Sequence, residues 1–233
     1  MTERVDRSGV ARRSFLTRLS AVLGGVGTGL AVGSATASAQ AARDGFAPAR
    51  HTEDDWLDQV PGRHRVVFDT TAAQGFGEAI VFVNNFLTAA KTGYGLTDAD
   101  SAVVLVARHS STPFAYNDAM WAKYGAHLAV RTGLNDPKTH QPPTVNLFNT
   151  AAPDLPHRGI TIDSLIARGV RLAVCQMATR FFAGQIAQAT GGKEDAVFAE
   201  LGANLVGQAR FVAAGIVAVN RAQERGYTLT TVV

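Results

Sequence analysis

Cys175 is the single cysteine of the 233-residue chain, and it lies where an apolar run at 170–174 gives way to a segment with helical periodicity. A thiol just ahead of a helix meets unpaired backbone N–H groups and the positive end of the helix dipole, which favour the thiolate. A thiolate at this position could attack a sulfur atom, carry a persulfide or bind a soft metal. Free cysteines are also among the most frequently buried residues. An inert core cysteine is therefore the alternative that the sequence leaves open.

His109 and Asp69 end two other apolar runs, at 102–109 and 65–69. A histidine at such a place could act as a base or a metal ligand beside Cys175, or it could serve structure alone by bonding to the backbone. Asp69 could orient His109, although capping a turn with the threonines that follow it is the simpler role. The sequence thus offers Cys175 and His109 as the candidate catalytic residues.

The sequence contains only partial matches to known cofactor-binding motifs. Gly75 and Gly77 match part of a dinucleotide fingerprint, but Ile80 stands at the third glycine position. The GGK at 191–193 lacks the earlier glycine and the following Ser or Thr of a P-loop. The histidines show neither H-x-H nor H-E-x-x-H spacing, so no zinc site is readable. We therefore predict no cofactor.

Strands and helices must position these residues, and the sequence predicts them as apolar runs that alternate with segments of helical periodicity. The predicted strands are 65–69, 102–109, 170–175, 209–215 and 228–233, and the predicted helices are 78–91, 114–124, 160–168, 178–189, 194–206 and 216–225. This order predicts an α/β three-layer sandwich with a mainly parallel sheet flanked by helices. Ligands of open parallel sheets gather at the carboxyl ends of the strands. At that edge we expect Asp69, His109, Cys175 and Gly215.

The segment between the second and third strands is less regular. Thr112 and Pro113 fit the start of the aromatic-rich helix at 114–124, whose rings suit a core or a subunit interface better than a ligand platform. Residues 132–158 are rich in Pro, Asn, Asp and Thr and predict a long loop. Within it, 144–148 could add a short edge strand.

Charge and composition limit the classes of partner. The chain is 46% hydrophobic and 18% charged, which is typical of a globular protein of moderate size. Its formal net charge of +3 comes entirely from residues 1–39, which carry five arginines and two acids and leave 17 bases and 17 acids for residues 40–233. A nucleic-acid-binding protein carries its basic excess on the folded domain. We therefore expect no nucleic-acid partner.

Residues 1–39 have the order of an export signal. A charged start ends in Arg12 and Arg13, a glycine-diluted apolar stretch follows at 19–32, and Ala-Ser-Ala ending at Ala39 fits a signal cleavage site. This pattern resembles a twin-arginine translocation (Tat) signal. The resemblance implies that the Tat translocase exports the folded chain to the periplasm, or otherwise out of the cytoplasm, with cleavage after Ala39. A membrane anchor needs about 20 apolar residues, more than this stretch or any later segment provides.

The mature chain divides into two parts. Residues 40–62 are polar and predict an N-terminal arm that Trp56 and Leu57 could anchor, whereas residues 63–233 predict the folded domain. Exported proteins often contain disulfides. One cysteine allows no bond within the chain, so Cys175 is buried, free to react or paired between molecules.

Two segments, RGVRLAVCQMATR at 168–180 and ARFVAAGIVAVNRAQERGYTLTTV at 209–232, have a recognisable pattern. The first resembles the cysteine-ended strand of the DsrE/DsrF-like family, and the second resembles the closing elements of that family. The similarity covers about residues 63–233 and includes the strands RVVFD and AVVLVARH in the expected order. It implies an α/β sandwich that forms a homo-oligomer. Some members carry sulfur as a persulfide on a cysteine, a role that would fall to Cys175.

Three hypotheses follow for the function. The leading one is an exported DsrE-like protein that handles sulfur or a thiol-reactive small ligand through Cys175, with His109 assisting. The second is a noncatalytic homo-oligomeric protein that binds a small ligand and has a structural cysteine. The third is soft-metal binding between subunits through Cys175 and His109.

Overall fold

The computed structural model describes residues 47–233. Arg12, Arg13 and Ala39, the residues of the predicted export signal, lie outside this range. The described strands form one sheet, and they are β1 (His64–Thr70), β2 (Ser101–Ala107), β3 (Arg171–Cys175), β4 (Ala209–Val212) and β5 (Thr228–Val232). Their order across the sheet is β4-β3-β2-β1-β5, and every neighbouring pair is parallel.

Helices cover both faces of this sheet. They are α1 (Trp56–Gln59), α2 (Ala73–Tyr94), α3 (Asp118–Thr132), α4 (Ile162–Ala167), α5 (Gln176–Thr190), α6 (Glu194–Ala203) and α7 (Gly215–Gln223). From β1 to β4 the chain steps in one direction across the sheet, and it then returns to place β5 beside β1. Right-handed crossovers in opposite directions put their helices on opposite faces. The predicted three-layer α/β sandwich is confirmed.

The alternation of side chains along each strand builds two apolar cores. Phe68 of β1 faces a core that includes Ile80 of α2. Its neighbour Val67 faces a second core, which contains Leu57 of α1 and Val219 of α7. All seven residues of β2 are buried, as expected of a central parallel strand that is covered on both sides.

The N-terminal arm contributes to the second core. Trp56 and Leu57 are buried there, and Val60 joins them. The hydroxyl of Tyr227 donates a 2.7 Å hydrogen bond to the carbonyl of Leu57, which links the arm to the segment before β5. Trp56 and Leu57 therefore anchor the arm.

Helix α2 begins at Ala73, five residues earlier than the sequence predicts, and includes Gly75 and Gly77. A Cβ atom on Gly75 would lie 2.5 Å from the carbonyl oxygen of Val232, so only glycine allows the helix to approach β5 this closely. A Cβ atom on Gly77 would lie 2.6 Å from Cβ of Pro156, so this glycine allows close packing of the helix against the loop before α4.

The helix predicted at 114–124 exists, but it starts four residues later, at Asp118, and extends to Thr132. Residues His109–Ala115 form a 3-10 helix that contains Pro113, and α3 starts later, with the Asn117 side chain accepting the Met120 N–H at 3.4 Å. The aromatic rings of this region lie in the core, where the indole N–H of Trp121 donates to the carbonyl of Pro113 at 3.1 Å. An asparagine cap thus sets the start of α3.

The edge strand predicted at 144–148 is wrong. Leu147–Asn149 is a short 3-10 helix. The buried Asn146 amide donates to the carbonyls of Phe114 and Tyr116 at 2.8 and 2.9 Å, so a side chain fixes this segment where a strand would use its backbone. Within residues 47–233, no helix combines the length and the apolar character needed to span a bilayer.

Candidate functional site

A cleft of about 310 Å³ opens at the carboxyl edge of the sheet. Its walls come from the residues just after β2, from the first turns of α5 and α7, and from the last turn of α3. Cys175, His109 and Gly215 line this cleft, whereas Asp69 does not. The structure therefore brings the two candidate catalytic residues to one place.

Cys175 is both the last residue of β3 and the N-cap of α5. The N–H of Ala178 donates to its Sγ at 3.4 Å, so the sulfur takes the place that an oxygen usually holds at a helix start. The residue is 7% exposed, and it reaches solvent through the cleft. The thiol is recessed and faces the first turn of a helix, as the sequence predicts.

A chain of hydrogen bonds holds the backbone of Cys175. The hydroxyl of Thr179 donates to the Cys175 carbonyl at 3.0 Å, and the Tyr116 hydroxyl donates to Thr179 Oγ1 at 3.0 Å. Complete burial raises the pKa of Tyr116, so the phenol keeps its proton and remains a donor. The cysteine is thus tied to the aromatic core as well as to the sheet.

Arg108 and Asp69 form an ion pair beside the cleft. Nε of Arg108 lies 2.6 Å from one carboxylate oxygen of Asp69, and a terminal guanidinium nitrogen lies 2.8 Å from the other. The Asp69 side chain is 4% exposed and that of Arg108 is 26% exposed. Within residues 47–233, the Asp69 carboxylate accepts hydrogen bonds from Arg108 alone, so it neither orients His109 nor caps a turn.

The same carboxylate raises the pKa of Arg108, chiefly through these hydrogen bonds, and the negative form of Cys175 adds a smaller electrostatic contribution. Gly215 packs against the stem of Arg108, since a Cβ atom at this glycine would lie 2.5 Å from Arg108 Cβ. The ends of β1 and β2 and the start of α7 together fix a positive charge near the thiol.

His109 is the first residue of the 3-10 helix, is exposed and has a φ of 55°. Such a left-handed backbone is uncommon for residues other than glycine. Its Nδ1 lies 3.3 Å from the carbonyl oxygen of Thr71 and 3.2 Å from the Ser110 hydroxyl. When Nδ1 donates to Thr71, Nε2 is the nitrogen that can exchange a proton. His109 and Cys175 share the cleft, and within residues 47–233 neither side chain hydrogen-bonds to the other.

The rim of the cleft is apolar apart from one arginine. Met177 is 70% exposed, and Phe181 and Ile216 are exposed to about half. The guanidinium of Arg131, in the last turn of α3, lies 5.4 Å from the ring centroid of Phe181, a distance typical of a cation–π contact. Within the described chain, no carboxylate lies at ion-pair distance from Arg131.

Sequence reasoning missed Arg108 and Arg131. Arg108 lay inside a predicted strand, and its partner becomes evident only from the parallel register that pairs Asp69 with Val106. Arg131 lay beyond the end of the predicted helix at 114–124, whereas α3 extends to Thr132. The only signal in the sequence was an acid, Asp69, near the end of one apolar run and an arginine, Arg108, near the end of the next. This signal does not show which strands lie side by side in the sheet.

The donor groups of the cleft limit what it could hold. Among residues 47–233, no cluster of three or more His, Cys, Asp or Glu side chains is arranged to bind a metal ion. Cys175 and His109 are two donors with two arginines beside them. The arrangement suits nucleophilic chemistry at sulfur, with positive charge next to the reacting atom.

Comparisons with known proteins do not identify a family or a function for this chain. No family model matches the chain, and no curated protein matches it. Among solved structures, it is similar to MTH1491 from Methanobacterium thermoautotrophicum, a protein of unknown function. The two are 14% identical, the match covers 72% of this chain and 99% of that chain, and the TM-score is 0.40. This likeness is too weak to carry an argument.

Proposed function

We propose that this is an exported, DsrE-like protein in which Cys175 accepts a sulfur atom as a persulfide and passes it to a thiol. The observation that carries the proposal is the position of the Cys175 sulfur. It lies in a cleft at the carboxyl edge of the sheet and accepts an N–H bond from the first turn of α5. Both features are typical of reactive cysteines.

The reaction is a pair of sulfur displacements. The Cys175 thiolate attacks the terminal sulfur of a donor, which forms an S–S bond on Cys175 and breaks the bond that held this sulfur in the donor. The leaving group departs with the electron pair of that bond. An acceptor thiolate then attacks the outer sulfur of the persulfide and releases Cys175 as a thiolate. No oxidant or reductant enters, because one bond to the transferred sulfur forms as another breaks.

Two neighbours support this chemistry in the proposal. Arg108 is held in place by both oxygens of Asp69 and supplies a fixed positive charge that favours the thiolate and the persulfide anion. His109 donates Nδ1–H to the Thr71 carbonyl and exchanges a proton through Nε2 with the leaving group or the incoming thiol. Cys175 is the catalytic residue, and Arg108 is a positioning residue.

The test is mass spectrometry of the folded protein after treatment with glutathione persulfide. We expect a mass increase of one sulfur atom on the peptide that contains Cys175, and loss of this sulfur when a thiol acceptor is added. The Cys175→Ser protein, which lacks the nucleophile and keeps nearly the same shape, should gain none. A native thiol that neither gains sulfur nor reacts with iodoacetamide would overturn the proposal.

One observation favours a second function, in which the protein binds a small ligand without chemistry. Cys175 is only 7% exposed, as a structural cysteine would be. Cys175→Ala should then leave ligand binding intact and lower the free energy of unfolding by about 1 kcal/mol. Loss of binding by a variant that remains folded would count against this second function.

A further inference from the structure

We infer that the cleft accepts small anionic sulfur compounds of the thiosulfate class and that Arg131 binds their oxyanion end. This inference rests on the proposed function, because it names the donor from which Cys175 would take sulfur. Three basic side chains line the cleft, namely Arg108, His109 and Arg131. No Asp or Glu is among its lining residues in the described part of the chain.

Within residues 47–233, the two arginines, Arg108 and Arg131, differ in whether a carboxylate already binds them. Arg108 already donates two of its hydrogen bonds to the buried carboxylate of Asp69, so these donors are not free for a ligand. Arg131 is exposed, and its guanidinium lies over the ring of Phe181, which also lines the cleft. A guanidinium can present two parallel N–H donors to an oxyanion, so Arg131 is the residue suited to bind one.

The backbone around the cleft adds to the attraction for anions. Helices α5 and α7 both begin there, and Ala214 at the start of α7 provides no side-chain cap for the N–H groups that follow it. Unpaired N–H groups at helix starts favour negative ligands. These N–H groups add to the attraction for anions. The proposed site itself rests on the charge of Arg131 and on the shape of the cleft.

The size and lining of the cleft narrow the class of anion. Its volume of about 310 Å³ suits a small molecule. Met177, Phe181 and Ile216 provide an apolar wall near Cys175 on which a weakly hydrated sulfur atom can rest. A compound with a terminal sulfur at one end and an oxyanion at the other would place its sulfur at Cys175 and its oxyanion at Arg131, and thiosulfate is the simplest example.

The step with thiosulfate balances in atoms and charge. The Cys175 thiolate attacks the outer sulfur of S₂O₃²⁻, the S–S bond of thiosulfate breaks, and sulfite, SO₃²⁻, leaves with the electron pair. Cys175 then carries the persulfide anion, so three negative charges are present before and after the step. The cations of the cleft stabilise the leaving sulfite as well as the bound thiosulfate.

Binding is tested without the chemistry, on the Cys175→Ser protein titrated with thiosulfate by calorimetry. We expect saturable binding that weakens about tenfold or more in the Cys175→Ser, Arg131→Gln double variant, because a charge-assisted hydrogen-bonding partner is lost. The control is Arg63→Gln in the same background. Arg63 is an exposed arginine beside the amino end of β1, so this change alters net charge equally and should leave the affinity within about twofold.

A second measurement separates this inference from the proposed function. In the protein with Cys175 intact, thiosulfate should release sulfite and add one sulfur to Cys175, at a rate that Arg131→Gln lowers. Thiosulfate binding that depends on Arg131 without any sulfur transfer would support the anion site and overturn the sulfur chemistry. Transfer from glutathione persulfide, together with no thiosulfate binding or binding that ignores Arg131→Gln, would overturn the anion site alone.

Discussion

The guanidinium of Arg108 meets the buried carboxylate of Asp69 through hydrogen bonds of 2.6 and 2.8 Å that join the ends of β2 and β1. Both residues follow apolar stretches, so the ion pair fixes a charged group at the edge of an otherwise hydrophobic sheet. Two bonds in one plane restrict the rotation of the guanidinium. The positive charge beside the cleft is therefore rigid before any ligand arrives.

Removal of this anchor should impair stability and reactivity together. Asp69→Asn loses the charge that holds Arg108, and we expect the free energy of unfolding in urea to fall by about 2 kcal/mol. We also expect Cys175 to react more slowly with iodoacetamide, because Arg108 is free to turn away.

The matched control is Asp98→Asn. Asp98 binds Arg168 with the same two-bond geometry, at 2.9 and 3.0 Å, and neither residue lines the cleft. This variant should lose stability and keep the alkylation rate of Cys175. Equal slowing in both variants would show that Arg108 has no particular influence on the thiol.

Gly215→Ala tests the close packing behind Arg108. The added Cβ would lie 2.5 Å from Arg108 Cβ, so either the arginine or the start of α7 must move. We expect a loss of about 1–3 kcal/mol of unfolding free energy and slower sulfur uptake. Gly93→Ala is the comparison, because nothing lies within 4 Å of its added Cβ and alanine favours helix, so stability should hold or rise.

His157 should make stability fall in mild acid. Its Nε2 lies 2.8 Å from the Thr150 carbonyl oxygen, and within residues 47–233 its Nδ1 has no hydrogen-bond partner. Burial lowers the pKa of His157 below the ordinary value of 6.5. The unfolded chain therefore takes up a proton near pH 6.5 that the folded chain refuses. The stabilisation is complete above this pH and declines as the pH falls toward the lower pKa of the folded state.

The measurement is the free energy of unfolding in urea between pH 8 and pH 5. His157→Gln should flatten the decline, whereas His64→Gln, at an exposed position on β1, should leave it unchanged. If the free energy of unfolding of the His157→Gln variant still falls as the pH is lowered, groups other than His157 cause the decline.

The N-terminal arm should prove necessary for stability. Leu57 is fully buried in the second core, so Leu57→Ala should lower the free energy of unfolding by about 2–5 kcal/mol through lost packing. Leu229→Ala removes the same atoms at a position that is 41% exposed and should have a much smaller effect. A loss in Leu57→Ala as small as the one in Leu229→Ala, by both thermal and urea unfolding, would contradict the prediction.

The sequence revealed the fold class because central strands of a parallel sheet are buried on both faces and appear as unbroken apolar runs, as 102–107 does. It misplaced the starts of α2 and α3 for local reasons. Gly75 and Gly77 suggest a loop until the close approaches of β5 to Gly75 and of residues 148–157 to Gly77 are known. Pro113 suits a 3-10 helix as well as the first turn of an α-helix.

The candidate site was only partly accessible to sequence reasoning. Cys175 and His109 stand out because their side chains are chemically distinctive and end apolar runs. The partner of Arg108 depends on strand register, and the place of Arg131 depends on the full length of α3. Neither property is encoded within a short window, so both arginines required the structure.

Because the one thiol of the chain is only 7% exposed and lines a cleft, labelling reagents of increasing size can measure how far that cleft opens. The rates at which a small alkylating agent and a large fluorescent maleimide label Cys175 would show how often the cleft opens wide enough for each reagent. A spin label or fluorophore attached there would follow those fluctuations without any engineered cysteine.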